Sequence, residues 1–168
     1  MKIRLASLND IEGIAKVHLE SWKTTYKNII SDSYLSNITL EGRIRNWTWV
    51  FNNSNNGEVI YVIEDENNQI VGFLSGGKSR ESNLEYEAEL YAIYLLKDAQ
   101  CKGYGRLLFN RFIEELKLTK YESIMLWVLK ENPAINFYKK LGGEYITEKE
   151  IQIGEDRLIE IALGWKDI

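Results

Sequence analysis

The stretch ELYAIYLLKDAQCKGYGR, residues 89–106, decides how this chain reads. Its first part closes a predicted strand, Tyr86 to Leu96, that is apolar on both faces after Leu90 and therefore belongs in the middle of a covered sheet. Its second part runs directly into a helix predicted over Gly103 to Lys117, with Leu107, Leu108, Ile113 and Leu116 turned inward. Gly103 and Gly105 at such a strand-to-helix turn let the backbone approach a ligand closely. The free N–H groups of a first helical turn, at the positive end of the helix dipole, then suit a pyrophosphate. The same glycines also serve tight helix-on-strand packing, so the pair alone leaves both readings open. A P-loop and a dinucleotide fingerprint both fail on residue type, because Leu108 stands where each needs glycine.

Toward the N-terminus, Ile3 to Ala6 reads as a short strand, and Ser7 and Asn9 are candidate caps for a helix carrying Ile11, Ile14, Ala15, His18, Leu19 and Trp22 at helical spacing. Thr39 to Phe51 repeats that spacing in Leu40, Ile44, Trp47 and Phe51; between the two, Tyr26 to Ile38 reads as a helical turn or a loop. Asn52 to Gly57 signals a turn, Glu58 to Glu64 a strand, Asp65 to Asn68 a turn and Gln69 to Ser75 a third strand. Beyond the glycine turn, Ile124 to Leu129 is a buried strand and Asn132 to Leu141 a helix closed by Gly142 and Gly143. Glu144 to Ile153 and Arg157 to Trp165 are the last strands. The order is β-α-α-β-β-β-α-β-α-β-β, an α/β chain of mixed type with helices on both faces of one sheet.

The pattern Gln100-x-x-Gly103-x-Gly105 after a buried strand resembles the acyl-CoA signature of the GNAT superfamily of N-acetyltransferases. Downstream, Trp127-Val-Leu-Lys-Glu-Asn-Pro-Ala134 and Phe137-Tyr-Lys-Lys-Leu-Gly142 resemble its second signature, an Asn followed by a Phe-Tyr helix ending in glycine. Many members carry an aromatic residue where this chain has Gly143, a departure that touches local packing only. The resemblance implies a mixed, mostly antiparallel sheet of about seven strands in one domain spanning residues 1–168. It implies acetyl-CoA as co-substrate, its pantetheine arm paired with the backbone of Ile93, Tyr94 and Leu95. Gln100 would belong to the cofactor site, Cys101, Lys102, Gly103, Tyr104, Gly105 and Arg106 would hold the pyrophosphate, and Asn132 would contact the arm. The activity implied is acetyl transfer to a primary amine of a small molecule, peptide or protein by direct attack on the thioester. A domain of the same fold that binds acyl-CoA without turnover, as a sensor or partner module, is the alternative.

That chemistry sets requirements. An alkylamine with pKa about 10.4 is neutral in only about one molecule in 10³ at pH 7, so a base is useful. The departing thiolate gains from a proton donor. The resemblance places Tyr138 beside the cofactor sulfur as that donor. Period-two alternation puts Glu85, Glu87 and Glu89 on one strand face with Tyr91, Ile93 and Leu95, and Glu89, nearest the acetyl position, is the candidate base. An ion-paired acidic strand end is the competing reading of Glu89. The three glutamates would also make the acceptor entrance negative and favour cationic amines. A backbone N–H near Ile93 could polarise the thioester carbonyl. His18 lies on an apolar stripe and reads more readily as a buried, hydrogen-bonded structural residue than as a base. Cys101 reads as a loop thiol, since direct transfer needs no covalent intermediate. Trp22, Tyr26, Tyr34, Trp47 and Trp49 read as core first and as acceptor-pocket lining second.

Bulk properties agree with this reading. The chain has 168 residues, 45% of them hydrophobic and 27% charged, close to globular averages. A net charge of −4 argues against general nucleic-acid binding. The longest apolar run, Leu90 to Leu96, is far short of the roughly 20 residues of a membrane span, and polar Ser7, Asn9 and Asp10 interrupt any signal-like start. One Cys and one His exclude an intrachain disulfide and disfavour a protein-only metal site. The expectation is a reduced cytoplasmic protein without a metal. The aromatic-rich second helix and the terminal strands leave a homodimer open.

Overall fold

The computed structural model describes residues 1–53 and 57–168. Seven strands form one sheet in the order β1-β2-β3-β4-β5-β7-β6. They are β1 (Lys2–Leu5), β2 (Val59–Glu64), β3 (Ile70–Lys78), β4 (Ala88–Leu95), β5 (Ile124–Leu129), β6 (Glu144–Ile153) and β7 (Asp156–Trp165). All neighbours are antiparallel except β4 and β5. β4 is thus the central strand, as its two-faced apolar sequence requires.

The helices are α1 (Ile11–Thr25), α2 (Asp32–Asn37), α3 (Leu40–Asn53), α4 (Tyr104–Leu118) and α5 (Ile135–Lys140). α4 and α5 cover one face, where Leu108, Phe112, Leu116 and Tyr138 pack on Leu74, Leu90, Leu126 and Leu163. α1 and α3 cover the other, where Ile14, Ala15, Val17 and Trp47 pack on Ile60, Val62 and Phe73. The segment between α1 and α3, ambiguous in sequence, contains the two-turn helix α2, whose Leu35 packs with Tyr26, Ile30 and Leu129. The turn expected over Asn52 to Gly57 lies in part outside the described residues.

Two expectations about α4 and α5 need correction. Leu107 is outward, 50% exposed. The inward stripe of α4 is Gly105, Leu108, Phe109, Phe112 and Leu116, spaced by threes and fours, and the sheet selects this stripe over the one through Leu107. α5 begins only at Ile135, because Asn132, Pro133 and Ala134 make a turn in which the Asn132 Oδ1 accepts from the Ala134 N–H at 2.9 Å. Gly143, the departure from the family pattern, sits against Trp165. A Cβ there would stand 2.8 Å from the indole Cζ2, so an aromatic residue has no room.

Candidate active site

β4 and β5 begin side by side but pair only through Ala88 with Ile124 and Glu89 with Met125. Beyond those pairs they diverge, and a groove of about 1010 Å³ opens between them. Its floor uses Glu89 to Leu95 of β4 and Leu126 to Leu129 of β5; α1 contributes Trp22, its C-terminal cap residue Tyr26 also lines the groove, and α5 contributes Phe137 and Tyr138.

The backbone of β4 supplies polar groups to this groove. The Leu96 N–H donates to the Val71 carbonyl of β3 at 2.9 Å, and Tyr94 is paired with Phe73. Antiparallel alternation therefore turns the N–H and C=O groups of Ile93 and Leu95 away from β3 and toward the gap. The Leu95 carbonyl already accepts from Ser21 Oγ and from Gln100 Nε2, each at 3.1 Å. Gln100 thus ties the start of the glycine turn to the end of the strand. Tyr94 differs from expectation: its backbone is committed to β3, and its side chain lies on the α1 face. There the Tyr94 hydroxyl accepts from Trp22 Nε1 at 3.0 Å and lies 3.0 Å from the Tyr26 hydroxyl.

At the far end of the groove is the N-terminus of α4. The first N–H of the helix with a helical partner is that of Leu107, which donates to the Gly103 carbonyl at 3.1 Å. Among the described residues no hydrogen bond uses the backbone N–H groups of Cys101, Lys102, Gly103, Tyr104, Gly105 or Arg106. Cys101 and Gly103 both have positive φ, +59° and +85°, and a Cβ on Gly103 would meet only open space. Gly103 is needed for its backbone conformation, whereas Gly105 is needed for room, since its Cβ would stand 3.2 Å from Phe137 Cζ. Gln100, Cys101, Gly103, Gly105 and Arg106 line the groove; the side chain of Tyr104 packs on the core, and Lys102 is exposed outside the lining.

Tyr138 is buried at the α5 wall of the groove, and its hydroxyl makes no hydrogen bond among the described residues. Burial, with Tyr94 nearby, pushes its pKa well above the ordinary tyrosine value. Asn132, buried, lines the same stretch.

Glu89 is only 2% exposed and is held by Arg80. Its Oε1 is 2.5 Å from Arg80 Nη2, and its Oε2 accepts from the Arg80 backbone N–H at 2.9 Å and from Nε at 3.2 Å. The ion-paired reading of this residue describes the geometry. The face assignment must also be revised. Ser75 pairs with Ala92 but Gly76 pairs with Leu90, so Tyr91 is an extra, bulged residue. The bulge resets the alternation: Ala88 and Leu90, then Ile93 and Leu95, face α4, while Glu89 shares the opposite face with Ala92 and Tyr94. Of the three glutamates only Glu89 lines the groove. The Glu87 carboxylate instead accepts from the Glu122 N–H at 2.6 Å, at the far end of β4.

Sequence reasoning missed a polar cluster at the Glu89 end. Glu81 Oε1 accepts from Trp127 Nε1 at 2.9 Å and from Lys149 Nζ at 3.0 Å, and Lys149 Nζ also sits 3.7 Å from the centre of the Trp127 ring. Lys149 holds the Glu81 carboxyl below its ordinary range. Glu160 of β7 also lines the groove there. Of the aromatic candidates, Trp22 and Tyr26 line the groove, Trp47 is in the core, Tyr34 of α2 packs on the cluster of Tyr26, Ile30, Leu35 and Leu129, and Trp49 is 67% exposed. Among the described residues no cluster of three His, Cys, Asp or Glu side chains could hold a metal ion, and no helix is long and apolar enough to cross a membrane.

Comparison with known proteins agrees with this geometry. The sequence model of the Acetyltransferase (GNAT) family matches residues 20–143, a span that runs from the end of α1 through β4, the glycine turn and β5 to α5. The chain belongs to the GNAT acetyltransferase family. One relative is an uncharacterized N-acetyltransferase, YuaI, of Bacillus subtilis, 38% identical over 166 residues that cover 99% of this chain and 93% of the relative. Another is a spermidine N(1)-acetyltransferase of Thermoplasma acidophilum, 25% identical over 90% of this chain and 98% of the relative. Among solved structures, a ribosomal-protein-alanine N-acetyltransferase of Brucella melitensis superposes with a TM-score of 0.77 at 23% identity, covering 99% of each chain. The PaiA N-acetyltransferase of T. acidophilum, solved with coenzyme A, gives 0.70 at 23% identity over 95% of this chain and 98% of its own.

Proposed function

We propose that this GNAT member transfers the acetyl group of acetyl-CoA to a primary amine by direct attack on the thioester. The observation that supports it most is the continuity of the groove. It runs from the backbone groups of Ile93 and the N–H of Leu95, which β3 leaves unpaired, to the N–H groups of residues 101–106, which have no hydrogen-bond partner among the described residues. The first suit the amide-bearing pantetheine arm, which would lie beside β4 like an added strand. The second suit the pyrophosphate. Relatives and neighbours support the co-substrate and the class of acceptor: PaiA was solved with coenzyme A, the Salmonella typhimurium YncA structure holds acetyl-CoA, and one relative is named for spermidine.

Within that groove the chain's own residues divide the work. Backbone groups of Ile93 and the N–H of Leu95 orient the arm, and a β4 N–H near Ile93 polarises the carbonyl of the thioester. The Tyr138 hydroxyl, kept protonated by burial, hands its proton to the departing sulfur. Trp22 and Tyr26 wall the acceptor side and exclude water. Glu89, locked to Arg80, serves as base only if that ion pair opens. Release of free thiol from acetyl-CoA, followed with spermidine, an alanine-initiated peptide and a lysine-containing peptide, tests the reading. Acceptor-dependent release is the expected result. Binding of acetyl-CoA without release to any amine would point instead to the acyl-CoA-binding module of the same fold.

A further inference from the structure

β7 pairs with β5 so that Glu160 stands opposite Leu129 and Ala162 opposite Trp127. Those residues share the sheet face that carries α1 and α2, the face on which Glu89 also lies. Glu160 is half-buried and lines the groove. Each neighbouring charge already has a partner: Arg80, from the segment before β4, holds Glu89 of β4, and Lys149 of β6 holds Glu81. The Glu160 carboxylate makes no hydrogen bond or ion pair among the described residues. A half-buried carboxylate without a protein partner keeps its lone pairs free for water or for a cation that enters the groove.

We propose that Glu160 receives the ammonium group of the acceptor and takes the proton it must lose before attack. The proposal rests on the transferase reading and assigns its missing base. Burial raises the Glu160 pKa above the ordinary glutamate value, against the attraction of Lys149 and Arg80 and with the repulsion of Glu81 and Glu89, so it is a stronger base than a solvated carboxylate. The steps balance. The ammonium gives one proton to Glu160; the neutral nitrogen forms the C–N bond; the C–S bond breaks as Tyr138 protonates the sulfur. The proton left on the nitrogen restores Tyr138, and Glu160 releases its own to solvent. The acceptor class that fits is an amine cationic at neutral pH.

The test compares wild type with Glu160→Gln, using spermidine and the two peptides as acceptors between pH 6 and 10, with acetyl-CoA affinity measured by calorimetry. Glu160→Gln should lower kcat/KM for the amine about 10²- to 10⁴-fold near pH 7, a general-base effect, and leave acetyl-CoA affinity unchanged. The defect should shrink as the pH approaches the amine's own pKa, because the free amine then needs no base. Glu160→Ala, which remains informative if the Gln variant folds poorly, should regain activity when formate is added. A defect that is the same at every pH, or wild-type rates in Glu160→Gln, overturns the proposal and leaves the transferase reading intact. Wild-type protein that binds acetyl-CoA and acetylates none of these amines overturns both.

Discussion

The indole N–H of Trp47 donates to Nδ1 of His18 at 3.1 Å, which fixes the ring as a neutral acceptor inside a cage of Trp22, Phe73 and Tyr94. Burial, with a smaller contribution from Arg43, lowers its pKa from 6.5 to about 3. The single histidine is therefore structural. Its titration has a defined sign: as pH falls below 6.5 the unfolded chain takes up a proton that the folded chain refuses until about pH 3. Stability should fall across that window by up to about 1.4 kcal/mol per pH unit from this residue alone. Urea unfolding at pH 7, 6 and 5 should show a shallower slope in His18→Gln than in wild type. Equal slopes would contradict the buried neutral ring.

Gly103 and Gly105 should respond differently to substitution. Gly103 needs positive φ but has open space around it, so Gly103→Asn should keep acetyl-CoA affinity, since Asn tolerates that conformation. Gly103→Val should weaken affinity tenfold or more, about 1.4 kcal/mol, by turning the N–H groups of the loop away. Gly105→Ala should displace Phe137 and lower the Tm as well as the affinity. Wild-type affinity in Gly103→Val, measured by titration calorimetry, would leave the turn with a packing role only.

Tyr138→Phe removes a hydroxyl that has no hydrogen-bond partner among the described residues, so no group is orphaned and the Tm should stay close to wild type. The kcat should fall about 10²- to 10⁴-fold with acetyl-CoA affinity unchanged. A comparable loss of stability would mark the hydroxyl as an anchor, and full activity where chemistry limits the rate would remove its assigned role.

The glycine turn, the central strand and the bounds of β5 and β6 were legible because each rests on a local signal: positive-φ glycines, a two-faced apolar run, or turn residues at both ends. The Tyr91 bulge was not, because a period of two presumes a regular strand and the extra residue is absorbed by pairing with β3. That single bulge moved Glu89 to the opposite face. Arg80 lies in a loop that folds back through the Ser79 N–H to the Glu87 carbonyl, at 2.8 Å, and no local pattern announces such a contact. Glu160 looks like any outward residue of an alternating strand until β5 diverges from β4 and exposes its face to the groove. The same logic explains Leu107: the helical period offered two stripes, and only the sheet beneath chose between them.

The central claim is that acetyl-CoA occupies the groove between β4 and β5, with its pyrophosphate at the start of α4. Titration calorimetry of the full chain with acetyl-CoA tests it most directly. Saturable one-to-one binding in the micromolar range, about −8 kcal/mol, is the expected result. The absence of saturable heat at millimolar acetyl-CoA would contradict it.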